Sequence, residues 1–236
     1  MCTVTFIPQG EYIIITSNRD ERTSRPTAFA PSEEIRNGKK IFFPKDPQAG
    51  GTWFVAVEDG SVAVLLNGGF VAHIPQGNYR LSRGIVLLDI VTSEDPHAAL
   101  SSYSLIDIEP FTILLFVSAQ LYELIWDGVE RYIKELASDQ PHIYSSATLY
   151  SSTVIAERQK WFADFMAILG VKDPADVRKF HATAGHGDDK NGLIINRDNS
   201  TKTFSITQAV ISADAIDFYH HDLLTGAEDH KHLSIL

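Results

Sequence analysis

The chain has 236 residues, 44% hydrophobic and 21% charged, a globular composition with ample apolar material for a core. Its net charge of −10 and its lack of a Lys/Arg cluster exclude nucleic acid and anionic membrane as expected partners, because phosphate repels such a surface. No apolar run reaches the ~18 residues of a membrane span, and Met1-Cys2-Thr3-Val4-Thr5-Phe6 has neither the basic start nor the apolar stretch of a secretory signal. The single cysteine, Cys2, cannot form an internal disulfide, so a reducing, cytoplasmic location is expected.

Thr3 to Ile7 alternates, Pro8-Gln9-Gly10-Glu11 turns, and Tyr12 to Thr16 is β-branched or aromatic, which predicts a hairpin. Asn18 to Arg25 reads as a polar loop. Ile41 to Phe43, Trp53 to Val57 and Val62 to Leu66 read as strands, the last two joined by an Asp59-Gly60 turn. Leu81 to Val91 predicts a helix, and Asp95-Pro96 starts a second, short one.

Strands return at Phe111 to Val117, Leu121 to Trp126, Glu130 to Ile133 and Ile143 to Leu149. Thr153 to Leu169 carries Val154, Trp161, Phe162, Phe165, Leu169 and the Arg158 stem on one helical face, with Gly170 as its end. Asp173-Pro174 opens another helix. Leu193 to Asn196 and Lys202 to Ala209 flank a turn at Arg197-Asp198-Asn199-Ser200, and Ala215 to Tyr219 is a last strand. Strands at both ends with two helical blocks between predict antiparallel sheets with helices outside them, not a Rossmann alternation.

Cys directly after the initiator is small enough for Met1 to be trimmed. A terminal cysteine then carries a nucleophilic thiol and, in its α-amine, a base. The thiol titrates near 8.5 and the amine near 8 in free peptides, roughly. The first hairpin brings Arg19 or Asp20 back toward Cys2. Arg19 can stabilise a thiolate, and Asp20 can orient the α-ammonium. Retention of Met1 blocks the amine and removes this chemistry.

Met1-Cys2, the early hairpin, Asn18-Arg19-Asp20-Glu21, Gly50-Gly51-Thr52-Trp53 and a strand ending Leu65-Leu66-Asn67 together resemble the NRDE family. This family, named for its Asn-Arg-Asp-Glu motif, is also called the transport and Golgi organisation family. The resemblance is strongest over residues 1 to 70. It implies one α+β domain over residues 1–236, a four-layer αββα sandwich of the N-terminal-nucleophile hydrolase type with mainly antiparallel sheets. It further implies a distant similarity to the cysteine amidohydrolases, such as choloylglycine and penicillin V hydrolases.

By that resemblance Cys2 is the nucleophile, Arg19 and Asp20 flank it, and Asn67 is the oxyanion donor. Asn18 and Ser146 are expected to contact substrate. Ser146 stands where the family often has Asn, in Tyr144-Ser145-Ser146, and Ser205-Ile206-Thr207-Gln208 lies where the bile-salt enzymes have a late Arg. The expected activity is hydrolysis of a non-peptide amide bond of a small N-acyl substrate, with no cofactor or metal. The alternative is a non-enzymatic binding or trafficking protein for haem or a lipid-like ligand in the same pocket. The nine histidines lack zinc-site spacing and are expected at the surface or in the tail. Asp188-Asp189-Lys190-Asn191-Gly192 reads as a turn rather than a calcium loop.

Overall fold

A computed structural model describes residues 3–169, 171 and 173–235. Cys2, the expected nucleophile, lies outside the described residues, as do Met1, the expected helix end Gly170 and the side chain of Leu169. The chain opens with strands β1 (Thr3–Gln9), β2 (Tyr12–Arg22), β3 (Phe29–Arg36), β4 (Lys39–Lys45), β5 (Phe54–Val57) and β6 (Val62–Asn67). Helices α1 (Arg83–Val91) and α2 (Pro96–Ser102) follow, then β7 (Phe111–Val117), β8 (Gln120–Trp126), β9 (Arg131–Leu136) and β10 (His142–Ser145). Helix α3 (Ser152–Asp164) runs into a π-turn at Phe165–Leu169 before α4 (Pro174–Thr183). The chain closes with β11 (Asn196–Arg197), β12 (Thr201–Ile211), β13 (Ala215–Asp222) and β14 (Glu228–Ser234).

Local chemistry accounts for the boundaries. Ser82, Asp95, Ser151 and Asp173 each accept an amide N–H of the helix they precede, with Pro96 and Pro174 next to their caps. Asp173 and Asp176 complete a capping box. Asp198 and Asn199 both adopt positive φ as the central residues of a turn closed by Ser200 N–H on the Arg197 carbonyl at 2.8 Å, in a three-residue loop between Arg197 and Thr201.

Two seven-stranded antiparallel sheets result. One has the order β10-β1-β2-β12-β13-β14, with β11 also on β12, and the other is the meander β3 through β9. Helices α1 and α2 contact the meander, and α3 and α4 contact the first sheet, which makes the four layers αββα. Aromatic side chains join the sheets. Phe6 meets Phe116 at 5.8 Å between centroids, and Phe218 sits edge-on to Phe42 at 4.9 Å and to Phe54 at 5.6 Å. A second apolar cluster, including Ile7, Ile14, Phe162 and Phe180, seals α3 and α4 onto the outer face of the first sheet. No helix among the described residues is long and apolar enough to cross a membrane.

The structure corrects three sequence expectations. Residues 18 to 22 are not a loop: β2 runs to Arg22 between β1 and β12. The polar side chains of Asn18, Arg19 and Asp20 are buried and satisfied rather than solvated, which is why hydrophobic periodicity misses them. β3 and β14, unexpected from sequence, are the edge strands of their sheets, where a mostly solvated face leaves little apolar alternation. His181 and His220 are buried core groups rather than surface histidines.

Candidate functional site

Strand alternation splits the Asn-Arg-Asp-Glu segment between two faces. Arg19 and Glu21 face the other sheet and line a cavity of about 240 Å³ at the end of the sandwich. Asn18 and Asp20 face the helical layer. The register that sets this is Thr3 opposite Asn18, with Ser145 on the other side of Thr3.

Arg19 is held from three directions. Its guanidinium donates to Asp46 at 2.8 Å, lies 4.3 Å over the ring of Trp53 and has Phe204 at 5.6 Å. Arg25 donates Nε–H to the same Asp46 oxygen at 2.8 Å. The other Asp46 oxygen accepts the amides of Gln48 and Ala49, an Asx-type turn just past β4. Burial opposes ionisation of Asp46. The bond from Arg25, the Ala49 amide and the charges of Arg25 and Arg19 outweigh it and hold the carboxyl below its usual range.

The opposite wall is the start of α1. Arg83 pairs with Glu109 at 3.1 Å and donates to the Pro110 carbonyl at 3.2 Å, and His73 takes another contact with Glu109 at 3.0 Å. Burial pushes the Arg83 guanidinium below its usual pKa, with the acids Glu109 and Glu21 opposing. This wall explains the paired glycines. A Cβ on Gly51 would stand 2.4 Å from the Gly84 carbonyl carbon, so only glycine lets the loop before β5 touch the helix start.

Asn67 ends β6 and lines the same cavity as Arg19. Its backbone carbonyl accepts from Ser146 Oγ at 2.7 Å, and no hydrogen bond to a described residue occupies its side-chain amide. Gly68 follows at φ +83°, pressed against Thr148. Ser146 therefore braces the strand end that carries Asn67. Near Arg19, the buried Trp53 Nε1 and the buried hydroxyl of Ser205, which sits opposite Arg19 in β12, have no partner among the described residues.

The helix-facing side is a separate network. Asp20 accepts the Tyr150 hydroxyl at 2.6 Å and the Thr203 hydroxyl at 2.6 Å. Asn18 donates to the carbonyls of His181 and Leu193, and its oxygen faces His181 Nδ1. Since both Asn18 amide hydrogens are committed, Nδ1 of His181 carries the proton and Nε2 accepts from Thr5 at 2.8 Å. Burial first, and the charge of Arg158 second, push His181 down to about 3.

The structure thus brings Arg19 and Asn67 to one cavity. It puts Asp20 one strand face away, Asn18 in the packing of α4, and Ser146 behind Asn67. Sequence reading missed Asp46, Arg83 and Glu109 at the cavity, and the polar roles of Arg158 and Thr203 on the other face. Asp46-Pro47 ahead of Gly50-Gly51 is a legible turn signal for the first. Nothing local marks the others.

A family model described as Transport and Golgi organisation 2 matches residues 1–185. No curated protein matches. Among solved structures, the Caenorhabditis elegans N-acylethanolamine-hydrolyzing acid amidase ortholog superposes with a TM-score of 0.60 at 11% identity, covering 88% of this chain and 92% of that one. The C2A mutant of the conjugated bile acid hydrolase from Clostridium perfringens does so with a TM-score of 0.55 at 9% identity, covering 98% of this chain and 92% of that one. At these identities the likeness is one of fold.

Proposed function

From a chain that belongs to the Transport and Golgi organisation 2 family and shares its fold with amide-bond hydrolases, we propose a cysteine amidohydrolase that cleaves the carbon–nitrogen bond of a small N-acyl substrate. The observation that carries this reading is that Arg19 and Asn67, whose side-chain amide bonds no other described residue, line one cavity. Thr3, the residue after Cys2 in the sequence, pairs in register with Asn18, the neighbour of Arg19.

In this mechanism Met1 is removed and the α-amine of Cys2 takes the thiol proton. The thiolate attacks the amide carbonyl, a C–S bond forms, and the carbonyl oxygen becomes an oxyanion facing the Asn67 amide. The α-ammonium returns its proton to the substrate nitrogen as the C–N bond breaks and the amine leaves. Water then attacks the thioester, the α-amine takes its proton, the C–S bond breaks, and the acid departs. Arg19, held by Asp46 and Trp53, favours thiolate and orients the acyl oxygen.

The binder alternative, for haem or a lipid-like ligand, fits this cavity less well. Its 240 Å³ lies below the roughly 300–1,000 Å³ of sites that enclose drug-sized ligands, and its walls carry three arginines and three carboxylates. The test is intact-mass measurement of the protein purified from cells, followed by a panel of N-acyl amides. Loss of Met1 and turnover abolished by C2A are expected. Retained Met1, or turnover unaffected by C2A, overturns the reading.

A further inference from the structure

Helices α3 and α4 meet along an aromatic seam that leaves a space. Phe165, in the π-turn, stacks on Phe180 of α4 with ring centroids 4.8 Å apart, and both rings are buried. They form part of the wall of a cavity of about 580 Å³, together with Trp161, Ile168, Ala184 and Gly185. This volume exceeds that of the Arg19 cavity and falls within the roughly 300–1,000 Å³ of small-molecule sites. The two cavities share no described lining residue.

Two backbone features keep the space open. The π-turn at Phe165–Leu169 is wider than an α-helical turn and interrupts the apolar stripe of α3, so Ile168 stands 78% exposed near the buried Phe165. Gly185 has φ +71°, and a Cβ there would stand 2.5 Å from the Trp161 ring, so only glycine brings the chain after α4 against that indole. Ile168 is also the only large apolar side chain that is exposed among the described residues 151–185. The apolar surface is thus a concavity, not the broad face of about 800 Å² that a stable protein partner needs.

The charged groups of the lining decide what fits. Asp164 is paired with Lys160 at 2.6 Å, and Asp176 accepts the Asp173 amide in the capping box of α4. Lys179 lines the cavity and makes no ion pair among the described residues. Its ammonium is a compact charge on a flexible stem, suited to a single anionic group. Aromatic walls suit a flat apolar body. No His, Cys, Met or Tyr is among the described lining residues, so a haem iron would find no axial ligand here. We propose that this cavity is a second binding site, independent of the hydrolytic reading, for a small acid built of an apolar ring or short chain and one carboxylate or sulfonate. The body packs against Trp161, Ile168 and the Phe165–Phe180 stack, and the anionic group pairs with Lys179.

The probe is anilinonaphthalene sulfonate, an apolar aromatic body with one anionic group, and phenylnaphthylamine is its uncharged counterpart. Each is titrated by fluorescence into the full chain, with naphthoate as a carboxylate competitor. Wild type is expected to bind the sulfonate saturably at one site, more tightly than the uncharged probe, and naphthoate is expected to displace it. K179E is expected to weaken the sulfonate by about tenfold or more, the worth of a charge-assisted bond, and to leave the uncharged probe nearly unchanged. I168S is expected to weaken both probes. Lys179 and Ile168 are exposed, so both variants should fold, and far-UV circular dichroism checks this. Absence of saturable binding in wild type, or an unchanged sulfonate affinity in K179E, overturns the proposal. Equal losses of both probes in K179E overturn it too, because they report packing rather than an ion pair. Unchanged affinities in I168S place the probe elsewhere and overturn it equally.

Discussion

One oxygen of Asp46 takes both the Arg19 guanidinium and the Arg25 Nε–H, each at 2.8 Å. Asp46, almost entirely buried with Arg19, is thus the nearest carboxylate to two cations, with Glu21 farther off at 4.0 Å from Arg19 and 3.8 Å from Arg25. Removing Asp46 takes the closest carboxylate away from two partly or fully buried guanidiniums. D46N is therefore expected to lower stability by about 3 kcal/mol at pH 7, read by urea denaturation. The sign with pH follows from the depressed carboxyl. Its contribution is complete above the unfolded value of about 3.9 and is lost as pH falls through the lower folded value. The gap between wild type and D46N should close below pH 4. A constant gap down to pH 2 contradicts the pairing.

The buried histidines set a second pH dependence at higher pH. His181 is held down to about 3, by burial and then Arg158. His220 is held down to about 4, by burial, with Arg19 and His221 adding and Asp222 opposing. Both are neutral when folded and take a proton near 6.5 when unfolded. Their contribution is complete above 6.5 and falls as pH drops toward their folded values, by about 1.4 kcal/mol per pH unit for each. H181Q should show about half the wild-type slope between pH 6 and 4. An undiminished slope shows that His181 is not the group responsible.

The contact of Gly51 with Gly84 is backbone against backbone, so no side chain can yield to a new methyl. G51A is expected to push the start of α1, with Arg83, away from the cavity. Overpacking of this kind costs about 1–3 kcal/mol. A drop in melting temperature is expected, together with weakened turnover of any N-acyl substrate identified. Wild-type melting and turnover in G51A contradict the tight approach.

Much of the fold was legible because Thr3 to Ile7 alternates, because β5, β6 and β7 are nearly continuous apolar runs buried on both faces, and because Asp95 and Asp173 before proline are clear caps. Arg19 and Asn67 were legible only as parts of a motif set. The rest was hidden for a common reason. Asn18 to Asp20 looks like loop because its polar groups are satisfied by partners 27 to 183 residues away, such as Asp46, Tyr150 and Thr203. No local pattern encodes those partners. Arg158 reads as a long stem on an apolar face, and only the tertiary structure puts its head under Thr3.

The last prediction separates Asn67 from the residue behind it. Asn67 lines the cavity with its side-chain amide bonded to no other described residue, while its backbone carbonyl is fixed by Ser146 Oγ at 2.7 Å. If that amide receives the oxyanion, N67A loses a donor that matters only as charge develops. Such donors contribute about 10²–10³ in rate, so kcat should fall by about that factor with KM little changed. N67D, equal in size but without the donor, should be no better. S146A keeps the amide but removes the carbonyl brace and the bond to the Thr148 hydroxyl, leaving Thr148 at 3.4 Å from the carbonyl, so a smaller loss of roughly tenfold is expected, with stability reduced by about 1 kcal/mol. These are read as kcat and KM on whichever N-acyl amide of the panel is turned over. Full activity in N67A removes Asn67 from the mechanism. Equal losses in N67A and S146A assign it a structural role instead.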